Sequence, residues 1–124
     1  AIGPDQAARQ TAAYPALAGR RYDMDFTDGV AMARQGIARS GWTRLSQIDR
    51  EGETTLGALA RSPVFAMPAD VAVRIIDEDG TVFVDMRSAW RYGRHDFGDN
   101  AARIEAFYQT LDAIAAATTA APLR

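Results

Sequence analysis

Apolar and charged positions alternate over residues 20–26, which predicts a half-buried strand at the start of the folded region. The apolar positions of this predicted strand are Tyr22, Met24 and Phe26. The period then becomes helical, because Val30, Ala33 and Ile37 fall on one face of a helix. We expect Thr27 or Asp28 to cap this helix and Gly41 to end it.

Alternation resumes at residues 42–49 and, beyond a polar turn, at 54–65, which predicts the second and third strands. Pro63 and Pro68 restrict the segment between them to an edge, a bulge or a loop, since proline cannot donate a ladder hydrogen bond. Residues 69–76 and 81–90 then flank the sequence DEDG, whose glycine readily takes a positive φ. This stretch predicts a β-hairpin.

The hairpin sorts its side chains onto two faces if Ile76 pairs with Thr81. The face expected in the core carries Val71, Val73, Ile75, Val82, Val84 and Met86. The opposite face carries Asp70, Arg74, Asp85 and Arg87. In this register Asp70 lies opposite Arg87, so we expect these two residues to form a cross-strand ion pair.

A last helix is predicted after Asp99 or Asn100, either of which can act as its N-cap. Its apolar positions at helical spacing are Ile104, Phe107, Tyr108, Leu111, Ile114 and Ala115. The element order is therefore β-α-β-β-β-β-α, which favours an α+β fold with an antiparallel sheet of about five strands and both helices packed on one face. We expect residues 20–124 to form this single domain and residues 1–19 to be a lead-in arm or linker.

Composition narrows the classes of function. The chain of 124 residues has 48% hydrophobic and 24% charged residues, which is typical of a soluble globular domain. Its net charge is −2 and its 14 basic residues, all arginine, are interleaved with acids, so we predict no nucleic-acid partner. The absence of cysteine excludes disulfides, thiol nucleophiles and thiolate metal sites.

Residues 87–104, RSAWRYGRHDFGDNAARI, concentrate arginines and the single histidine just before the last helix. Forked guanidinium groups bind carboxylate or phosphate bidentately, and a helix start offers free N–H groups, so this region is a candidate anion-binding surface. The candidate ligand-binding residues are Arg74, Arg87, Trp90, Arg91, Tyr92, Arg94, His95 and Asn100. In the alternative interpretation, aspartates already occupy the arginine forks; the residues of that structural network are Asp70, Asp85, Ser88, Asp96, Gly98 and Arg103.

Two other functions are alternatives. A small hydrolase or isomerase could use His95 with Asp96 as a general base, with Ser88 as the nearest hydroxyl. Adjacent residues on an extended loop point apart, however, and arginines near the aspartates favour ionised carboxylates, so we predict no catalytic residue, metal site or cofactor. The second alternative is a lipid carrier with a cavity between the sheet and the C-terminal helix.

A long motif connects the hairpin to the last helix. It comprises Asp70, Val71, Val73, Arg74, Asp85, Arg87, Ser88, Arg91, Gly93, Asp96, Gly98, Asn100, Arg103 and Ile104. At this spacing the chain resembles the bacterial and plastid family called domain of unknown function 1499, with Trp90 and Ala69 as departures from the pattern. The resemblance implies a domain that often follows a membrane span or export signal, hence a periplasmic or membrane-anchored location, and it implies no reaction.

Taken together, the arginine-rich surface and the resemblance predict a noncatalytic binding or assembly module. We expect it to act at the outer face of a bacterial inner membrane. The expected partner is a protein, an anionic lipid headgroup or a small anion.

Overall fold

The computed structural model describes residues 18–61, 68–90 and 97–120. The strands are β1 (Arg20–Tyr22), β2 (Thr43–Arg50), β3 (Glu53–Arg61), β4 (Pro68–Asp77) and β5 (Val82–Trp90). The helices are α1 (Phe26–Arg39) and α2 (Phe97–Ala120). The strands form one antiparallel sheet in the order β1-β5-β4-β3-β2. This confirms the predicted fold class and element order.

The β4–β5 hairpin lies in the sheet interior and pairs Ile76 with Phe83 rather than with Thr81. The reason is that the turn is centred one residue later than expected, where Asp79 and Gly80 have φ values of 62° and 106°. The Asp79 N–H also donates to the carboxylate of Asp77 at 3.0 Å. The register therefore differs from the prediction by two positions. An even shift leaves every side chain on its predicted face.

The core lies between the sheet and the two helices. On the sheet it contains all six hairpin residues predicted to face inward, none more than 5% exposed. The six predicted apolar positions of α2 are also buried, and Tyr108 and Leu111 are completely so. Burial of one such large apolar side chain contributes about 1.5–3 kcal/mol before entropy is subtracted. The helical and strand periods in the sequence thus identified this core correctly.

The start of α1 differs from the prediction. β1 ends at Tyr22 rather than at Phe26, and the N-cap of the helix is Asp25 rather than Thr27 or Asp28. The carboxylate of Asp25 accepts a hydrogen bond from the N–H of Asp28 at 2.9 Å. Because this bond satisfies a free N–H group and places a negative charge at the positive end of the helix, it stabilises an earlier start.

The start of α2 also differs, since the helix begins at Phe97. Asp99 and Asn100 therefore lie inside its first turn, and neither is the N-cap that we predicted. Asn100 is only 5% exposed. Its side chain contacts the sheet, where it accepts a hydrogen bond from Ser88 of β5.

Helices α1 and α2 touch at Gly36, which the helix pattern alone marks as a weak position. A Cβ atom at Gly36 would lie 2.8 Å from Leu111 Cδ2 and 3.1 Å from Phe107 Cε1. Both neighbouring side chains are buried in the core. The glycine is therefore the residue that lets the two helices approach closely.

We predict that Gly36→Val destabilises the protein by about 1–3 kcal/mol, because the added methyl groups would overlap buried side chains of α2. Helix propensity alone predicts the opposite sign, since valine is a better helix former than glycine. Chemical denaturation of both proteins measures the difference. Ala38→Val, at an exposed position of the same helix, is the control and should change stability by less than about 1 kcal/mol. Equal stability of Gly36→Val and wild type would contradict the close contact.

Candidate functional site

The sheet divides the candidate residues between its two faces. Asp70, Arg74, Asp85 and Arg87 lie on the face opposite the helices, which we call the open face. Three further candidates lie together on the helix-covered side, namely Ser88, Asn100 and Arg103. The others are Arg91, Tyr92, Arg94, His95 and Asp96, which lie outside the described residues, and Trp90 and Gly98, for which the structure describes the backbone alone.

On the open face, Arg74 lies opposite Asp85 and binds it with both branches of its fork. Nε donates to Oδ1 at 3.1 Å and Nη2 donates to Oδ2 at 2.5 Å. The hydrogen bonds and charge of Asp85 raise the pKa of Arg74 above its usual value. The guanidinium of Arg74 is therefore already engaged with a carboxylate, as the structural-network interpretation expected for these arginines.

The predicted ion pair between Asp70 and Arg87 is wrong. The observed register places Asp70 opposite Ala89 and Arg87 opposite Ala72, because the strands are shifted by two positions. Arg87 is exposed and borders a shallow groove of about 420 Å³ that also reaches Thr55 and Ala18. Arg74 and Asp85 line the same groove, so its charges are of both signs.

On the helix-covered side, the side-chain carbonyl of Asn100 ties β5 to α2. Its Oδ1 accepts from Ser88 Oγ at 2.9 Å and from Arg103 Nη1 at 2.9 Å. The same nitrogen of Arg103 also donates to Ser88 Oγ at 3.1 Å. Asn100, which we predicted to be a ligand-binding residue, thus belongs to one network with Ser88 and Arg103, which we predicted to be structural.

A second concave site, which we call the α2 cleft, lies between α2, the end of β3 and the connection from α1 to β2. Its volume is about 430 Å³, within the range of small-molecule sites. It is lined by Ser40, Trp42, Arg61, Ala102, Arg103, Ala106, Phe107 and Thr110. Among the residues that the structure describes, this lining carries two guanidinium groups, those of Arg61 and Arg103.

An aromatic pair forms the apolar part of the α2 cleft. Trp42 stacks on Phe107 with ring centroids 5.2 Å apart and an interplanar angle of 16°. Phe107 is 1% exposed and Trp42 is half-buried, so the indole covers the core on one side and borders the cleft. Such a ring offers a flat apolar contact to a bound molecule.

The two hydroxyl groups of the α2 cleft donate to backbone groups of the helices. Ser40 Oγ donates to the carbonyl of Gly36 at 2.8 Å, and Thr110 Oγ1 donates to the carbonyl of Ala106 at 3.1 Å. Their protons are therefore engaged. Among the described lining residues, the charged donors are the guanidinium groups of Arg61 and Arg103.

Sequence reasoning missed Trp42 and Arg61 as site residues. Trp42 was read as one position of a strand, and its ring partner Phe107 is distant in sequence. The available signal was a large aromatic residue directly after the helix-ending Gly41, which has φ of 75°. Arg61 is the last residue of β3. The alternation of apolar and polar residues along this strand does not predict that its end lies close to α2.

Two buried tyrosines lie on the other side of α2. Tyr22 donates to Asp112 Oδ1 at 2.7 Å, and burial together with this bond raises the pKa of Tyr22 above its usual range. Burial raises the pKa of Tyr108 to about 12, and its hydroxyl makes no hydrogen bond of normal geometry with a described residue. Arg20 lies 4.8 Å above the Tyr108 ring. Both phenols stay protonated at neutral pH, because the pKa of each lies above its usual value.

We predict that Arg74 and Asp85 couple by about 0.2–1 kcal/mol in a double-mutant cycle, because the pair is well formed but partly exposed. The side chains are 46% and 30% exposed, so added salt should lower the coupling. Denaturation of Arg74→Ala, Asp85→Ala and the double variant measures it. Arg87→Ala is the control and should leave stability unchanged within about 0.5 kcal/mol. A larger loss there would mean that Arg87 has a structural partner after all.

We predict that Asn100→Ala destabilises the protein by about 1–3 kcal/mol, since Ser88 and Arg103 would lose a shared acceptor in a part-buried place. Asn100→Asp keeps an acceptor oxygen and should stay closer to wild type. Thermal unfolding of the three proteins gives the comparison. If Asn100→Ala melts like wild type, the network does not hold α2 on β5.

The geometry above can be compared with known proteins. None of the helices in the described ranges is both long and apolar enough to span a membrane. A search of curated proteins gives no match. The model of one family, described as "Protein of unknown function (DUF1499)", matches residues 3–111, which is most of the chain and includes most of the predicted lead-in arm. The chain therefore belongs to this family, as the motif from Asp70 to Ile104 predicted.

Proposed function

We propose that this protein is a noncatalytic binding module that holds an anionic ligand in the α2 cleft. The observation that carries the proposal is that, among the described residues, Arg61 and Arg103 line the cleft together with the aromatic pair of Trp42 and Phe107. The groove on the open face lacks such an aromatic pair among its described lining residues, and its Arg74 binds Asp85. A ligand with a negative group and an apolar part therefore fits the α2 cleft better.

The ligand that fits the α2 cleft has an anionic end and an apolar body. Guanidinium groups bind phosphate or carboxylate through charge-assisted hydrogen bonds. The aromatic pair of Trp42 and Phe107, together with Ala102 and Ala106, offers apolar contact beside these charges. An anionic lipid headgroup with the start of its chains, or a small free phosphate monoester or carboxylate with an apolar part, has this chemistry.

The arginine-rich segment supports the same function. Arg103 lies in the second turn of α2. Residues 91–96 directly precede this helix, so Arg91 and Arg94 are near Arg103 in the sequence. We include them, with the aromatic residues Trp90 and Tyr92, as proposed contributors to ligand contact. At the outer face of a bacterial inner membrane, where we propose that the protein acts, anionic headgroups would be available as ligands.

We predict that inorganic phosphate and hexyl phosphate both bind, that hexyl phosphate binds more tightly, and that Arg61→Glu weakens both by at least about tenfold. A lost charge-assisted hydrogen bond accounts for a factor of this size. Isothermal titration at low and high salt measures the affinities, and salt should weaken binding because the attraction is between charges. Arg87→Glu is the matched control, since it makes the same change of charge on the open face.

Vesicles of phosphatidylglycerol in phosphatidylcholine distinguish a lipid headgroup from a free ligand. Binding to these vesicles that Arg61→Glu removes would identify the headgroup as the ligand. Equal affinities of wild type and Arg61→Glu would contradict the proposed site, and loss of binding in Arg87→Glu alone would move the site to the open face. Turnover of hexyl phosphate would contradict the noncatalytic role.

A further inference from the structure

Strand β2 forms one edge of the sheet and exposes apolar side chains. In the described part of the chain, the large hydrophobic residues that are exposed are Leu45 and Ile48, at 54% and 51%, and both lie in β2. An eight-residue edge strand with exposed apolar side chains can add a further strand. The other edge strand, β1, has three residues and offers much less length for pairing.

We infer that two copies of this protein associate through β2 and form one continuous antiparallel sheet across a two-fold axis. A two-fold contact requires a strand that is complementary to itself. If one residue of the first copy lies opposite a second residue of the other copy, symmetry repeats the same pair with the two copies exchanged. The sequence of β2, TRLSQIDR, meets this requirement only because of an irregularity in its backbone.

A β-bulge at Leu45 sets the faces of β2. The register against β3 shifts between Arg44 and Ser46, so Leu45 is an additional residue. Arg44 pairs with Ala58 and Asp49 pairs with Thr54, and both of these partners face the helices. Without the bulge, Arg44 and Asp49 would be five positions apart and on opposite faces. With it, they share the helix-covered side.

Side-chain contacts confirm which side of β2 faces the helices. Thr54 donates to Asp49 Oδ1 at 2.8 Å, and Arg34 of α1 donates to the side-chain oxygen of Gln47. Ser46 and Ile48 lie on the open face, opposite Gly57 and Thr55. Strand β2 thus alternates regularly from Ser46 to Arg50.

In one antiparallel register, opposite charges of the two copies meet and the paired residues lie on the same face of the joined sheet. With Gln47 of the two copies on the two-fold axis, Ser46 lies opposite Ile48 of the second copy, and the bulge leaves Arg44 opposite Asp49 of the second copy. The ion pair occurs twice by symmetry. Ile48 of the two copies become diagonal neighbours on the open face, within reach of each other across the strands.

The charges on this edge decide which partner it accepts. Charged side chains usually prevent edge strands from pairing, because most incoming strands place like charges or an unpaired charge opposite them. In the two-fold register Arg44 of each copy meets Asp49 of the other instead, and Arg50 lies opposite the uncharged Thr43. Asp49 accepts from Gln47 and Thr54, and a carboxylate has about four acceptor positions, so it can accept Arg44 of the second copy as well. The edge is therefore selective for a second copy of this chain.

Sedimentation equilibrium of the full chain over a range of concentrations tests the association. We expect wild type to dimerise, Arg44→Asp and Asp49→Arg each to raise the dimer dissociation constant by at least about tenfold, and the Arg44→Asp, Asp49→Arg double variant to restore it, because the two charges then exchange places. Arg87→Asp, the same change on the open face of β5, is the control and should dimerise like wild type. A wild-type chain that is monomeric throughout, or a double variant that folds but does not recover, would overturn the inference.

A cross-linking measurement remains decisive if Asp49→Arg fails to fold. The chain has no cysteine, so Gln47→Cys introduces a single thiol, which would lie beside its own symmetry mate on the two-fold axis. We expect rapid intermolecular disulfide formation in this variant and slow formation in Arg50→Cys, whose position lies opposite Thr43 of the second copy. Equal rates in both variants would place the contact elsewhere.

Discussion

The register of the β4–β5 hairpin decides which polar side chains of this protein can meet. Side chains of a strand alternate between the two faces of the sheet, so a register shift of one residue would move the whole apolar set out of the core. The observed register buries Val73, Ile75 and Val84 beneath the two helices and sets Arg74 directly opposite Asp85 on the other face. Both the packing of the helices and the ion pair of the open face depend on this pairing.

The same argument explains which parts of the fold could be predicted from sequence. To predict which side chains are buried, only the face of the sheet on which each one lies has to be known. A register shift by an even number of residues leaves every side chain on the same face. The strand patterns therefore gave the right core although Ile76 was paired with the wrong residue. The ion pair requires the register itself, which the local conformation of Asp79 and Gly80 determines. The pair of Asp70 with Arg87 was predicted wrongly for this reason.

Helix starts and the α2 cleft show two further limits of sequence reasoning. Asp25 caps α1 because its backbone is extended at that position and its carboxylate reaches the N–H of Asp28, whereas the pattern offered several similar capping residues. The α2 cleft brings together Trp42, Arg61 and Arg103, from three segments that are far apart in sequence. No periodicity relates these segments, so their meeting follows from the topology and from the close packing of α1 on α2 at Gly36.

The arginines illustrate why a charge-rich sequence segment does not by itself define an anion-binding surface. Alternation along β5 sends Arg87 to the open face and the adjacent Ser88 to the helix side, so neighbours in the motif serve different parts of the molecule. A guanidinium can hold both oxygens of one carboxylate, as Arg74 does, or donate from one nitrogen to two acceptors, as Arg103 does. Arginine is therefore as much a tie between elements here as a recognition residue. What distinguishes the α2 cleft, among the described parts of the surface, is that it places Arg61 and Arg103 beside the stacked rings of Trp42 and Phe107, and the proposed ligand site depends on this combination.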